Sequence, residues 1–167
     1  MLVILFAVGA GCGRGGAPGG PAPAAAGPAW RGLPDTARLY YDNSGGIRDS
    51  LRMVIRDQAT LSEVWTQATS SQTAPPAAPT VDFGREMVLL VAAGRKTPEE
   101  QIRVDSLVVQ RAAGGGPNTF HALVRLTEGC QRFNIDAYPL EIVRVQRFEG
   151  PVEFIERVDR PSDCLPG

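Results

Sequence analysis

The sequence predicts a mainly β domain with one short helix, an α+β arrangement built on an antiparallel sheet or sandwich of about six strands. Three observations predict it. Apolar and polar residues alternate with period two through several short runs, which is the mark of half-buried strands. A single segment changes to a helical period. No internal repeat occurs, and no strand–helix–strand alternation that would build a parallel sheet.

The first 28 residues stand apart from this pattern. "MLVILFAVG" carries an apolar run, Leu2 to Val8, that is too short to span a bilayer, which needs roughly 20 apolar residues. It has the length of the apolar core of a secretory signal. The small residues Gly9, Ala10 and Gly11 lead directly to Cys12, so residues 1–11 read as a signal peptide. A cysteine just after the cut resembles a bacterial lipoprotein signal, which implies diacylglycerol on the Cys12 thiol. The alternative is an ordinary signal peptide with an incidental cysteine. Residues 12–28 continue as "GRGGAPGGPAPAAAGP" after Cys12, with no hydrophobic period. Such a composition cannot bury enough apolar surface to offset its chain entropy, and it reads as a tether. Residues 29–167 are expected to form one domain.

Folded sequence is expected from about Ala29–Leu39. "SLRMVIRD" places Leu51, Met53 and Ile55 on one face and Arg52 and Arg56 on the other, a half-buried strand. In "DQATLSEVWTQATS" Leu61, Val64, Trp65 and Ala68 fall at helical spacing, with Thr60 as expected N-cap and Glu63 as its capping-box partner. "SSQTAPPAAPT" is a loop, because Pro75, Pro76 and Pro79 lack amide donors. "MVLLVAAG", Met87–Gly94, is apolar on both faces and predicts the most buried, central strand. "QIRVDSLVVQ" predicts a strand whose alternation slips at Asp105–Ser106, the signature of a bulge. The turn Gly114–Asn118 joins it as a hairpin to the strand Thr119–Glu128. Leu140–Arg147 and Val152–Val158 complete the set.

Composition narrows the chemistry. The 167 residues carry a formal net charge of −1, so neither nucleic acid nor an acidic surface is an expected partner. Lys96 is the only lysine and His121 the only histidine. A lone strand histidine is a weak candidate base, and no His, Cys, Asp or Glu group has metal-ligand spacing. "GGGPN" leads into a strand rather than a helix N-terminus, so it is no phosphate cradle. Asp82, Glu86, Glu99 and Glu100 are scattered carboxylates. A hydrolase using Asp82, Glu86 or His121 is the lesser alternative. No metal and no cofactor are expected. With Cys12 acylated, Cys130 and Cys164 remain as an even pair, expected as a disulfide in an exported protein. It would close a loop of about 34 residues and contribute roughly 3–4 kcal/mol. Two free thiols are the alternative.

"VDFGREMVLLVAAGRKTPEEQIRVDSLVV" and "LVRLTEGCQRFNIDAYPLEIVRV" resemble the C-terminal domain of the protease complex subunit PrcB family. The resemblance rests on Asp82–Phe83 before the strand Met87–Val91, the loop Gly94–Pro98, then Tyr138–Pro139 running into Ile142–Val145. It covers about Leu51 to Val158. The loop departs from the family's Thr-Gly-Gly-Tyr, reading Thr97-Pro98-Glu99-Glu100. The resemblance implies a non-enzymatic accessory lipoprotein of the cell envelope that associates with an envelope protease and helps stabilise it. Gly13 rather than Asp after Cys12 implies an outer-membrane anchor, by analogy with Gram-negative lipoproteins. The family's loop is also similar to those of β-sandwich protease inhibitors, which makes inhibition the rival. The expected docking residues are Arg95, Lys96, Thr97, Pro98, Glu99 and Glu100, with the turn Gly114–Asn118 beside them. A polar loop placed by a rigid apolar strand is how recognition loops are commonly built.

Overall fold

A computed structural model describes residues 29–112, 114–130 and 133–162. The expected signal peptide, Cys12, the tether and Cys164 lie outside the described residues. Among the described residues, eight strands and one α-helix follow in order, with a single 3-10 turn at Asp35–Ala37 between the first two strands: β1 (Arg31–Gly32), β2 (Arg38–Asp42), β3 (Ser50–Ile55), α1 (Gln58–Ala68), β4 (Glu86–Ala93), β5 (Gln101–Gln110), β6 (Thr119–Thr127), β7 (Leu140–Gln146) and β8 (Val152–Asp159). They form two four-stranded sheets, ordered β1-β5-β6-β8 and β2-β7-β4-β3. The mainly β expectation holds, with two strands more than the six expected.

The uniformly antiparallel expectation needs one correction. β8 runs parallel to β6, from Phe120↔Val152 to Thr127↔Asp159. Parallel neighbours need a crossover, and β7, lying in the opposite sheet, supplies it without a helix. β2 was not expected because its adjacent tyrosines break the alternation. Its register shifts between Arg38 and Tyr40, so one residue is out of phase.

β4 organises the molecule. Its residues from Met87 to Ala93 are all buried, as the two-sided apolar run predicts. Met87, Leu89, Val91 and Ala93 face the other sheet and pack with Ile102, Val104, Phe120, Ala122, Val124, Val143 and Val145. Val88, Leu90 and Ala92 face the opposite way, onto Leu61, Val64, Trp65 and Ala68 of α1. The layers are therefore helix, sheet, sheet. Each fully buried large aliphatic side chain contributes about 1.5–3 kcal/mol, so the β4 positions dominate the core. The bulge falls where the pattern slips, between Val104 and Ser106.

The helix begins earlier than expected. Asp57, not Thr60, is the N-cap, and its Oδ1 accepts from the Thr60 amide at 2.8 Å. Thr60 Oγ1 donates back to Asp57 Oδ2 at 2.9 Å, so Thr60 fills the third helical position and Glu63 takes no part in the cap. These bonds hold the Asp57 carboxyl below its ordinary range. Trp65 anchors the helix: its Nε1–H donates to the Pro76 carbonyl at 2.8 Å, and its ring lies 5.3 Å from that of Tyr40. At the other end Gly46 donates to the Ala68 carbonyl at 2.9 Å. A Cβ at Gly46 would stand 2.0 Å from the Gln67 carbonyl, so only glycine permits that approach.

Candidate functional site

The segment Gly94–Glu100 carries the chain from β4 in one sheet to β5 in the other. It starts at Gly94 with φ +71°, where a Cβ would also meet the Ser50 amide at 3.0 Å. The loop does not protrude. Among its expected docking residues Arg95 is exposed, and Lys96, Thr97, Pro98, Glu99 and Glu100 are half-buried. Most of their polar groups are engaged by protein partners. Lys96 and Ala137 exchange backbone bonds of 2.9 and 2.8 Å. The Thr97 amide donates to Glu100 Oε2 at 2.6 Å, and the Glu100 amide returns to the Thr97 carbonyl at 3.0 Å. The Pro98 carbonyl accepts from Asn43 Nδ2 at 2.7 Å, and Glu99 Oε2 accepts from the Cys130 amide at 3.0 Å.

The effect is to fuse this loop to the β6–β7 connection. Arg95 Nε donates to Asp136 Oδ1 at 2.8 Å, and Lys96 Nζ lies 3.7 Å from Glu100 Oε1. Beside Asp136, Ile135 is 68% exposed and Phe133 is 40% exposed. The arrangement is a braced platform bearing two exposed apolar side chains and an exposed arginine. Fixed polar groups around apolar centres are the usual anatomy of a docking surface. The turn Gly114–Asn118 is not part of it. The turn lies at the far end of β5, and ten strand residues put roughly 30 Å between them.

Behind the loop is a cleft of about 220 Å³ between the sheets, reached by Arg52, Lys96, Glu100, Glu128 and Glu156. Its charges pair with protein groups. Arg52 Nη2 lies 2.5 Å from Glu156 Oε1, and Arg160 Nε lies 2.6 Å from Glu128 Oε2. The Arg160 bond holds the Glu128 carboxyl below its ordinary range. This volume falls under the roughly 300–1,000 Å³ typical of small-molecule pockets.

The residues of the hydrolase alternative do not converge. Asp82 Oδ1 accepts from the Gly84 amide in a tight turn at 3.0 Å. Glu86 Oε1 pairs with Arg144 at 3.3 Å on β4 and β7. His121 belongs to the other sheet, where its Nδ1 lies 3.4 Å from Glu153 Oε2. Among the described residues no group of three His, Cys, Asp or Glu side chains could hold a metal ion. Among them also, no helix is long and apolar enough to cross a membrane.

Two features were missed from sequence. One is the exposed pair Phe133 and Ile135, whose only signal was two apolar residues alternating with the polar Arg132, Asn134 and Asp136. The other is Glu141, a fully buried carboxylate between the sheets. It accepts from Arg38 Nη1 of β2, from Arg103 Nη1 at 2.9 Å, and from the Val104 amide at the bulge at 2.6 Å. The Arg103 guanidinium stacks 3.4 Å over the Tyr41 ring. Glu141 shares its phase with the inward-facing Val143 and Val145, and that spacing was the available signal. Its role is to lock the two sheets together.

No family model, curated protein or solved structure matches this chain.

Proposed function

We propose that this chain is a non-enzymatic, lipid-anchored module of the cell envelope that binds a protein partner, such as an envelope protease, and stabilises it. The observation that carries the reading is the platform formed by Gly94–Glu100 and the β6–β7 connection. It presents Arg95, Phe133 and Ile135 from a braced scaffold, which lowers the ordering cost of binding. The sequence resemblance to the PrcB family supports the same reading. The half-buried loop suits a flat docking face better than insertion into a protease cleft, so stabilisation is preferred to inhibition. Cys12 is the proposed lipidation site, with an outer-membrane anchor facing the periplasm or surface.

A Cys130–Cys164 disulfide belongs to the proposal. Its support is that the tail returns to the end of β6: the Glu128 amide donates to the Asp159 carbonyl at 2.9 Å, and Arg160 pairs with Glu128. Cys130 follows that point by two residues and Cys164 follows Arg160 by four.

Mild crosslinking and pull-down from envelope membranes tests the docking face. A variant combining Arg95→Glu, Phe133→Ser and Ile135→Ser is expected to lose the partner, while Glu63→Ser on the exposed side of α1 retains it. A folded triple variant that keeps the partner contradicts the proposal. Labelling with a fatty-acid analogue tests the anchor, and equal labelling of Cys12→Ser and the unaltered chain contradicts it.

A further inference from the structure

At the opposite end of the sandwich, one corner is left open between the sheets. β1 pairs only with Ser106 and Leu107 of β5, and β2 reaches only as far as Val143 of β7. Beyond those points, and among the described residues, Val108–Gln110 and Arg144–Gln146 are paired on one side alone. Both free edges line a single groove of about 1,080 Å³. Its floor is the inter-sheet core itself, through Leu33, Leu107, Phe120 and Val145. Val109 stands 43% exposed within it.

Unpaired strand edges over an apolar floor are normally guarded by charge or covered. β8, the other edge strand of the same sheet, is guarded in this way by Glu153, Glu156, Arg157 and Asp159. The open corner carries instead Val108, Val109 and Val145 along its edges. The charged residues lining it are Arg31, Arg111 and Arg144, and no carboxylate belongs to the lining. Arg144 pairs with Glu86 outside the groove, whereas Arg31 and Arg111 have no ion-pair partner among the described residues.

We infer that this corner takes an extended peptide segment of a partner protein, added as a strand, with apolar side chains on the groove floor and acidic ones at Arg31 and Arg111. The free edges supply the backbone hydrogen bonds and the alternating contacts supply selectivity. Shape and charge disfavour two other occupants. An acyl chain would cover the floor and leave the strand edges unpaired. A second copy docked symmetrically would set the same arginines against one another. The inference rests on the reading of this chain as a protein-binding module, but it concerns a different face from the platform at Ile135.

The test uses the full-length chain in detergent and a labelled, end-blocked hexapeptide of alternating Glu and Val, read by fluorescence anisotropy. Binding is expected, weakening with salt. Two lost charge-assisted hydrogen bonds should weaken it by about tenfold or more in the double variant Arg31→Ser, Arg111→Ser. The same peptide methylated on alternate amide nitrogens is expected to bind as poorly, because its side chains are unchanged and its strand pairing is lost. Val109→Glu, at an exposed position, provides a second variant expected to repel the peptide. No binding, equal binding of the methylated peptide, or displacement by palmitate overturns the inference. So does a dimer in sedimentation that Val109→Glu dissociates, which assigns the groove to a second copy. Absence of peptide binding by the unaltered chain, with platform crosslinking intact, refutes this inference alone.

Discussion

Replacing Glu141 with alanine should expose how the two sheets are held in register. The carboxylate is fully buried and serves three donors, Arg38, Arg103 and the Val104 amide. Removing it leaves the Val104 N–H orphaned, a cost of about 1–3 kcal/mol. It also leaves two guanidinium groups without their carboxylate, and breaking a buried pair costs about 3–5 kcal/mol. The Arg38 and Arg103 side chains retain 27% and 33% exposure, so both can turn toward water and the lower end applies. Glu141→Ala is therefore expected to lose about 3 kcal/mol, and Glu141→Gln, which keeps one acceptor, about 2 kcal/mol. Equilibrium urea unfolding reads this directly. With a slope of about 1–3 kcal/mol per molar, the alanine midpoint should fall by about 1–3 M at unchanged slope. A triple variant, Arg38→Met, Arg103→Met and Glu141→Leu, should recover most of the loss but not the part due to the Val104 amide. A Glu141→Ala variant within about 1 kcal/mol of the unaltered chain would refute the reasoning.

Leu90→Ala is expected to cost about 2–5 kcal/mol by the same assay, because Leu90 is fully buried between β4 and α1; a cost near zero contradicts that packing. Burial pushes the Asp42 carboxyl up, but bonds from the Ser44 amide, Tyr40 hydroxyl and Gln72 amide pull it further down, to below its ordinary range. A lowered folded-state value stabilises the fold above the unfolded value of about 3.9 and is lost as pH falls through the folded value. Asp42→Asn should therefore show a shallower loss of stability below about pH 4, measured by unfolding across an acid series. Non-reducing peptide mapping of exported protein is expected to return Cys130 linked to Cys164, and two alkylatable thiols would contradict the pairing.

What the sequence made legible was carried by long, regular signals. The apolar run at Met87–Ala93 marked the central strand because both faces of β4 are covered. The slip at Asp105 marked the bulge, and the spacing of Leu61, Val64, Trp65 and Ala68 marked the buried face of α1. The failures were of two physical kinds. Local competition misplaced the helix cap, since Asp57 and Thr60 both have capping side chains and the structure uses them as a pair. Non-local geometry escaped altogether. Nothing local in Val152–Asp159 states that β7 lies in the opposite sheet and turns β8 parallel to β6. The loop Gly94–Glu100 reads as polar and exposed. Its polar groups are instead engaged by Asn43, Cys130, Asp136 and Ala137, residues distant in sequence.

The central claim is that the platform at the Gly94–Glu100 end meets a protein partner in the envelope. A photoreactive residue placed at Ile135, with the same residue at Glu63 as reference, tests it most directly in intact cells. The account predicts one discrete adduct from position 135 and none from position 63. No adduct at 135, or the same adduct from both positions, would contradict it.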